Sequence, residues 1–206
     1  METILGIKGE DFVMVAADCT QAHSIISLKE DQDKIHTISD KLVIAAIGDT
    51  GDAIQFTEYI SKNLALYKMR NGYELGPKSA SHFTRKNLAD YLRSRTPYHV
   101  NLFVAGYDEK EGSELHYIDY IANAKSLNYA GQGYGGIFAA SIFDRYWHSK
   151  ITQAEAYDIL QKCILEIQKR LIVNLTNFKV AVVDKNGVKR LDDITSKTLT
   201  NYTPLF

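Results

Sequence analysis

The sequence predicts an α+β fold in which two antiparallel sheets face each other and a helix pair packs outside each sheet. Three observations carry that expectation. The patterned segments run in the order strands, two helices, strands, two helices, strands, without the strand–helix alternation of a parallel sheet. The strands fall into hairpin-connected groups, one of them closed by the turn signal Asn186-Gly187. Several strands are almost continuously apolar, so they need cover on both faces.

Residues 3–8 and 12–17 are two short strands joined by the Gly9-Glu10-Asp11 turn. Ile25-Ile26 opens another extended piece, and a further strand lies around Lys34-Ile35-His36. The run from Lys41 to Ile47 is apolar and stops at Gly48, as in a strand buried on both sides. From residue 51 to 70 the period becomes helical, with apolar residues such as Ile54, Tyr59, Leu64 and Tyr67 recurring at helical spacing. Asp49 or Asp52 is placed to cap its start, and Asn71-Gly72 to end it. A second helix follows Gly76-Pro77, carries Phe83, Leu88, Tyr91 and Leu92 on one stripe, and closes before Pro97.

The next block is again β. Residues 100–105 are apolar, 108–112 form a polar hairpin loop, 114–120 partly alternate, and 127–130 make a short extended piece. Helices are expected at 133–147 and 153–170. The second is opened by Thr152 with Glu155 three residues on, the pattern of a capping box. Residues 178–183 and 188–191 form the closing hairpin.

At 206 residues the chain is long enough to bury a full core in one domain. It carries 24 basic against 25 acidic residues, and that balance gives no electrostatic reason to expect nucleic acid or an anionic membrane as partner. No run approaches the ~18 apolar residues of a membrane span. The segment Met1-Glu2-Thr3-Ile4-Leu5 lacks the basic and apolar regions of a secretory signal. Cytoplasm and nucleus are therefore the expected compartments. The two cysteines, Cys19 and Cys163, sit among apolar residues and read as small buried hydrophobes.

Gly131-Gln132-Gly133-Tyr134-Gly135-Gly136 matches GxGxxG between a strand and a helix. A dinucleotide site would need a strand after that helix, whereas a second helix follows, so tight turning and close packing are the expected roles. No HExxH or CxxC pattern supports a metal site, and neither GxSxG nor a P-loop occurs. Neither a metal nor a cofactor is expected. Asn174-Leu175-Thr176 and Asn201-Tyr202-Thr203 fit the glycosylation pattern only by chance if no secretory signal is present. Arg85, Lys86, Arg93 and Arg95 cluster around the second helix and read first as a solvated face, then as a protein contact.

The opening pattern is more specific. Thr3-Ile-Leu-Gly-Ile-Lys, then Val13-Met-Val-Ala-Ala-Asp18, then Lys34, then the apolar strand into Gly48, resembles a proteasome beta subunit. The segments Tyr67-Lys-Met-Arg-Asn-Gly-Tyr-Glu-Leu75, Arg93-Ser-Arg-Thr-Pro-Tyr-His-Val-Asn-Leu102 and Ala105-Gly-Tyr-Asp-Glu109 are similar to the member at the fourth beta position. The resemblance runs from about residue 2 to 193. It implies a four-layer α-β-β-α sandwich and a single domain over 1–193, with 194–206 as a C-terminal tail. It also implies partners: other beta subunits in a heteroheptameric ring, an alpha ring, and the opposite beta ring.

Active members of that family are N-terminal nucleophile hydrolases. A threonine hydroxyl attacks, and its own free α-amine, with a pKa of ~7.7–8.0, serves as base. A lysine cation and an aspartate tune the pair, and a backbone N–H at a glycine turn holds the oxyanion. By motif, Asp18, Lys34 and Gly48 stand at the family's aspartate, lysine and oxyanion-glycine positions. Glu2 stands where the threonine belongs, Gln132 where a supporting serine does, and Leu171 and Asn174 where an aspartate and a second serine do. Only Met1 precedes Glu2, so no propeptide is expected. Thr3 is the one nearby hydroxyl, but it is offset by one residue, which on a strand turns it to the other face.

The resemblance thus implies no catalytic residue. It implies a structural subunit of the 20S core that supports assembly and ubiquitin-dependent protein degradation by its neighbours. A threonine hydrolase trimmed to Thr3 is the alternative from the same fold, and a nucleotide-binding protein using Gly131 to Gly136 is an alternative from another class. The apolar end, Tyr202, Pro204, Leu205 and Phe206, is the candidate docking segment on a neighbour, against the plain alternative of a frayed terminus.

Overall fold

A computed structural model describes residues 2–23, 26–200 and 202–205. Every strand pairing in it is antiparallel. The first strands are β1 (Thr3–Lys8), β2 (Phe12–Asp18), β3 (Gln21–His23), β4 (Ile26–Lys29), β5 (Ile35–Ser39) and β6 (Leu42–Gly48). Helices α1 (Thr50–Asn71) and α2 (Pro77–Leu92) follow, then β7 (Val100–Asp108), β8 (Gly112–Ile118), β9 (Ala124–Ser126) and β10 (Tyr129–Gly133). The chain continues with α3 (Tyr134–Tyr146), α4 (Gln153–Arg170), β11 (Asn177–Asp184), β12 (Gly187–Arg190), β13 (Ile194–Thr195) and α5 (Ser196–Thr200).

One sheet has the order β10-β1-β2-β11-β12, with β13 also paired to β11; the other has the order β5-β6-β7-β8-β9. Strands β3 and β4 form a separate ribbon. The alternation of side chains along each strand sorts the apolar residues into three cores. Leu5, Ile7, Met14 and Val180 face Phe143, Ile159 and Ile164 of α3 and α4. Ile44, Leu102 and Ile118 face Phe56, Ile60 and Leu88 of α1 and α2. Ile4, Val15, Val43, Phe103 and Val183 fill the space between the sheets. This is the expected α-β-β-α layering.

The helix ends follow the local chemistry. Asp49, not Asp52, caps α1 by accepting from the Gly51 and Asp52 N–H groups, while Asp52 accepts from the His99 N–H at 2.9 Å. Gly72 ends α1 in the left-handed conformation with φ of 77°. Thr152 and Glu155 form the capping box of α4. Cys19 and Cys163 are both buried and unpaired.

Three boundaries move. The extended piece expected at 127–130 lies at Tyr129–Gly133, because it pairs with β1 through the register Thr3 to Gly133. The exposed edge strand β9 has no apolar pattern to announce it. Packing also continues past residue 193, since Ile194 and Leu199 are buried and β13 pairs with β11. Lys34 precedes β5 rather than lying within it, and Ile25 falls outside the described residues.

The glycine run between β10 and α3 is explained by contact. A Cβ on Gly131 would lie 2.5 Å from the Gly136 Cα, so the two backbones touch only because both residues lack side chains. Strand β10 is antiparallel to β1, and α3 leads to α4, so no βαβ phosphate-binding unit is formed. Gly131→Ala is expected to destabilise the chain by about 1–3 kcal/mol through overpacking, read as a lower denaturation midpoint at unchanged slope.

His36, half-buried on β5, has its pKa lowered, first by burial and also by Arg190, with Asp33 opposing. The folded chain therefore binds this proton less readily than the unfolded chain. The stability concerned is present above the unfolded value of about 6.5 and is lost as pH falls towards the folded value. His36→Gln is expected to flatten the fall in melting temperature between about pH 7 and 5.5 relative to the parent chain.

Candidate functional site

The ends of both sheets converge on one ammonium group. Asp18 is the last residue of β2, Lys34 sits just before β5, Gly48 ends β6, and Glu2 lies one residue before β1. Asp18 and Lys34 are buried, at 0% and 2% exposure, so neither charge is eased by bulk water. Instead the lysine ammonium donates to two oxygens and forms an ion pair with a third. These are Asp18 Oδ2 at 2.9 Å, the Thr20 carbonyl at 2.7 Å and Glu2 Oε1 at 3.0 Å.

Each carboxylate then uses its remaining capacity on backbone N–H groups. Asp18 Oδ1 accepts from Thr3 at 2.7 Å, and Oδ2 also accepts from Thr20 at 3.0 Å. Glu2 Oε2 accepts from the Gly48 N–H at 2.8 Å. Two anions and one cation leave an excess negative charge, and these three amides oppose it. Burial is the largest influence on Asp18 and pushes its pKa up; Lys34 and the Thr3 amide pull it down, and Glu2 adds to the rise.

Gly48 is required by geometry. Its φ is 140°, and a Cβ there would collide with the His99 carbonyl oxygen. The turn it permits directs its N–H at Glu2 and passes the chain to Asp49, the cap of α1.

Thr3 points elsewhere. It is wholly buried, and its Oγ1 accepts from the Gly135 N–H at 3.1 Å, at the start of α3. A Cβ on Gly135 would fall 2.5 Å from that oxygen and 3.0 Å from Ile167 of α4. The Thr3 hydroxyl thus lies on the helix side of the sheet, and its own nitrogen is spent as a donor to Asp18. The structure brings Asp18, Lys34 and Gly48 together around Glu2, not around Thr3.

Other residues singled out in the sequence lie apart from this cluster. Gln132 is buried and bridges the sheets by donating from Nε2 to the Ile118 carbonyl at 3.1 Å. Leu171 packs against the core beneath α3 and α4, and Asn174 is exposed in the loop before β11. Arg85, Lys86, Arg93 and Arg95 are exposed, although Arg85 also donates to the Ala122 carbonyl at 3.1 Å.

The tail folds back on its own chain. The Tyr202 hydroxyl donates to Asp158 Oδ1 on α4, which also accepts from the Leu205 N–H at 3.2 Å. Tyr202 also packs on the core beneath α4, so it is taken up within the chain, while Pro204 and Leu205 stay exposed and Phe206 lies outside the described residues. Among the described residues no group of side chains could hold a metal ion, and no helix is long and apolar enough to cross a membrane.

Known proteins resemble this chain in sequence. The family profile described as "Proteasome subunit" matches residues 1–183. The chain belongs to the proteasome subunit family. It is 44% identical over 189 residues to proteasome subunit beta type-2-A of Arabidopsis thaliana, covering 92% of both chains. It is 38% identical over 194 residues to proteasome subunit beta type-4 of Saccharomyces cerevisiae, covering 94% of this chain and 98% of that one. With proteasome subunit beta type-2 of Caenorhabditis elegans the identity is 38% over 197 residues, covering 94% and 99%.

Thr20 carries no sequence signal of its own, because it acts through its backbone N–H and carbonyl, whereas Gly135 belongs to the glycine run but its N–H bond to Thr3 is not revealed by side-chain patterns. Lys34→Met is expected to cost about 3–5 kcal/mol, because it leaves two buried or near-buried carboxylates facing each other without their cation. A urea denaturation midpoint well below that of the parent chain is the expected reading.

Proposed function

We propose that this proteasome-family chain is a non-catalytic structural subunit of the 20S beta ring, at its fourth position. One observation carries the reading: the space between Lys34 and the Gly48 N–H is filled by a glutamate carboxylate. Threonine hydrolysis there needs a hydroxyl to attack and a free amine to take its proton. A carboxylate already paired with Lys34 has no proton to lose. Its oxygen also takes the Gly48 N–H that the family resemblance assigns to the oxyanion. The names of the beta type-2 and type-4 relatives support the subunit class.

The surface supports assembly as the work of the chain. Exposed apolar residues recur on α1 (Ile54, Tyr59, Leu66, Met69) and at the start of α3 (Tyr134, Ile137), and Ile172 projects after α4. Exposed apolar groups of this size suit contact with other subunits better than contact with water. In this reading the chain closes the ring, meets the alpha ring and the opposite beta ring, and supports ubiquitin-dependent degradation by catalytic neighbours in cytoplasm and nucleus. Pro204 and Leu205 remain available to a neighbour, whereas Tyr202 is held on α4. The fold unit in this reading extends through Leu199, with 200–206 as the tail.

The alternative, a hydrolase trimmed to Thr3, meets an obstacle in the Thr3 hydroxyl, which faces Gly135 instead of Lys34. The two readings separate in the purified particle. The expected intact mass of this chain includes Glu2, and a Thr3→Val particle retains every peptidase rate of the parent. A chain that begins at Thr3, or the loss of one peptidase activity in Thr3→Val, overturns the proposal.

A further inference from the structure

We infer that Lys34 and the Gly48 N–H form a carboxylate-binding site whose resident ligand is the side chain of Glu2. The two donors are separate and fixed: one comes from a buried lysine before β5, the other from a turn that only glycine can make. Each takes a different oxygen of the same carboxylate, at 3.0 Å for Nζ to Oε1 and 2.8 Å for N to Oε2. The site therefore reads a planar group with two oxygens rather than a single point of charge.

Neither donor has another acceptor in reserve. Lys34 already donates to Asp18 and the Thr20 carbonyl. Removing the glutamate carboxylate deprives the ammonium of one of its two anions and the Gly48 amide of its acceptor, and an unmet donor of that kind is costly. The Glu2 side chain is 15% exposed, so the space has a solvent edge through which a small anion can enter. Glu2→Ala excises a group of the size of acetate. In the parent chain the tether keeps the resident carboxylate at high effective concentration and closes the site to carboxylates from outside.

The test is chemical rescue in the full chain, read as melting temperature at constant ionic strength with acetate exchanged for chloride. Glu2→Ala is expected to melt lower than the parent and to recover saturably with acetate. At ten times the dissociation constant the folding equilibrium gains about elevenfold. Glu2→Gln keeps the space filled, so it is expected to melt low and to ignore acetate. Pivalate, which is too bulky for the vacated space, is expected to have no effect on Glu2→Ala.

Equal effects of acetate on the parent and Glu2→Ala overturn the inference, as does rescue by chloride to the same extent. Should Glu2→Ala fail to fold in chloride, its refolding yield becomes the readout. Recovery that depends on acetate supports the site, and equal recovery in chloride removes it. Because stability is read and not hydrolysis, the result stands or falls separately from the non-catalytic reading.

Discussion

Lys34 donates to Asp18 and the Thr20 carbonyl and pairs with Glu2, and the ends of both sheets are arranged around that ammonium. A buried ammonium without partners is far too costly to keep, so each acceptor must be held within hydrogen-bond reach at once. Asp18 comes from one sheet, Thr20 from the segment leaving it, and Glu2 from the start of the neighbouring strand. Through Glu2 the same network reaches Gly48 of the other sheet and so the entry to α1. One cation thereby ties together the ends of the two sheets.

The alternation of side chains along β1 then decides what this network can do. Ile4 faces the other sheet and Leu5 faces the helices. By the same alternation Thr3 falls on the helix side and Glu2 on the Lys34 side. A displacement of one residue along the strand therefore exchanges a hydroxyl for a carboxylate at the centre of the site. The Thr3 side chain leaves the strand on that face, against Gly135, so a change of rotamer does not bring its oxygen through the sheet to Lys34.

Much of this was legible in the sequence, and the reasons differ by element. The layers followed from apolar strands and helix periods, since burial on two faces leaves a composition that can be read directly. The caps at Gly72 and Thr152 followed from residue types with one local job, while the start of α1 was narrowed only to Asp49 or Asp52. Residues Asp18, Lys34 and Gly48 were found by their resemblance to family positions, and the offset of Thr3 by counting. What stayed hidden was backbone chemistry: the Thr20 carbonyl and the Gly135 N–H belong to every residue type and leave no mark on the sequence. Strand β9 and the fastening of Tyr202 to Asp158 were hidden for a related reason, as both depend on partners distant in the chain.

An aspartate–lysine pair that holds a glutamate carboxylate and backbone amides has a structural role without any catalytic one. Replacing both charges by apolar groups of matching shape can be neutral or favourable, but removing either alone leaves an uncompensated charge. Here even the paired replacement is obstructed, because Asp18 also accepts the Thr3 and Thr20 amides, which apolar groups would leave unmet. Glu2 adds to the constraint, since it too would lose its cation. The cluster behaves as a unit in which each member is held by obligations to the others. A fold that builds two sheet ends around it retains the charges whether or not a bond is cut there.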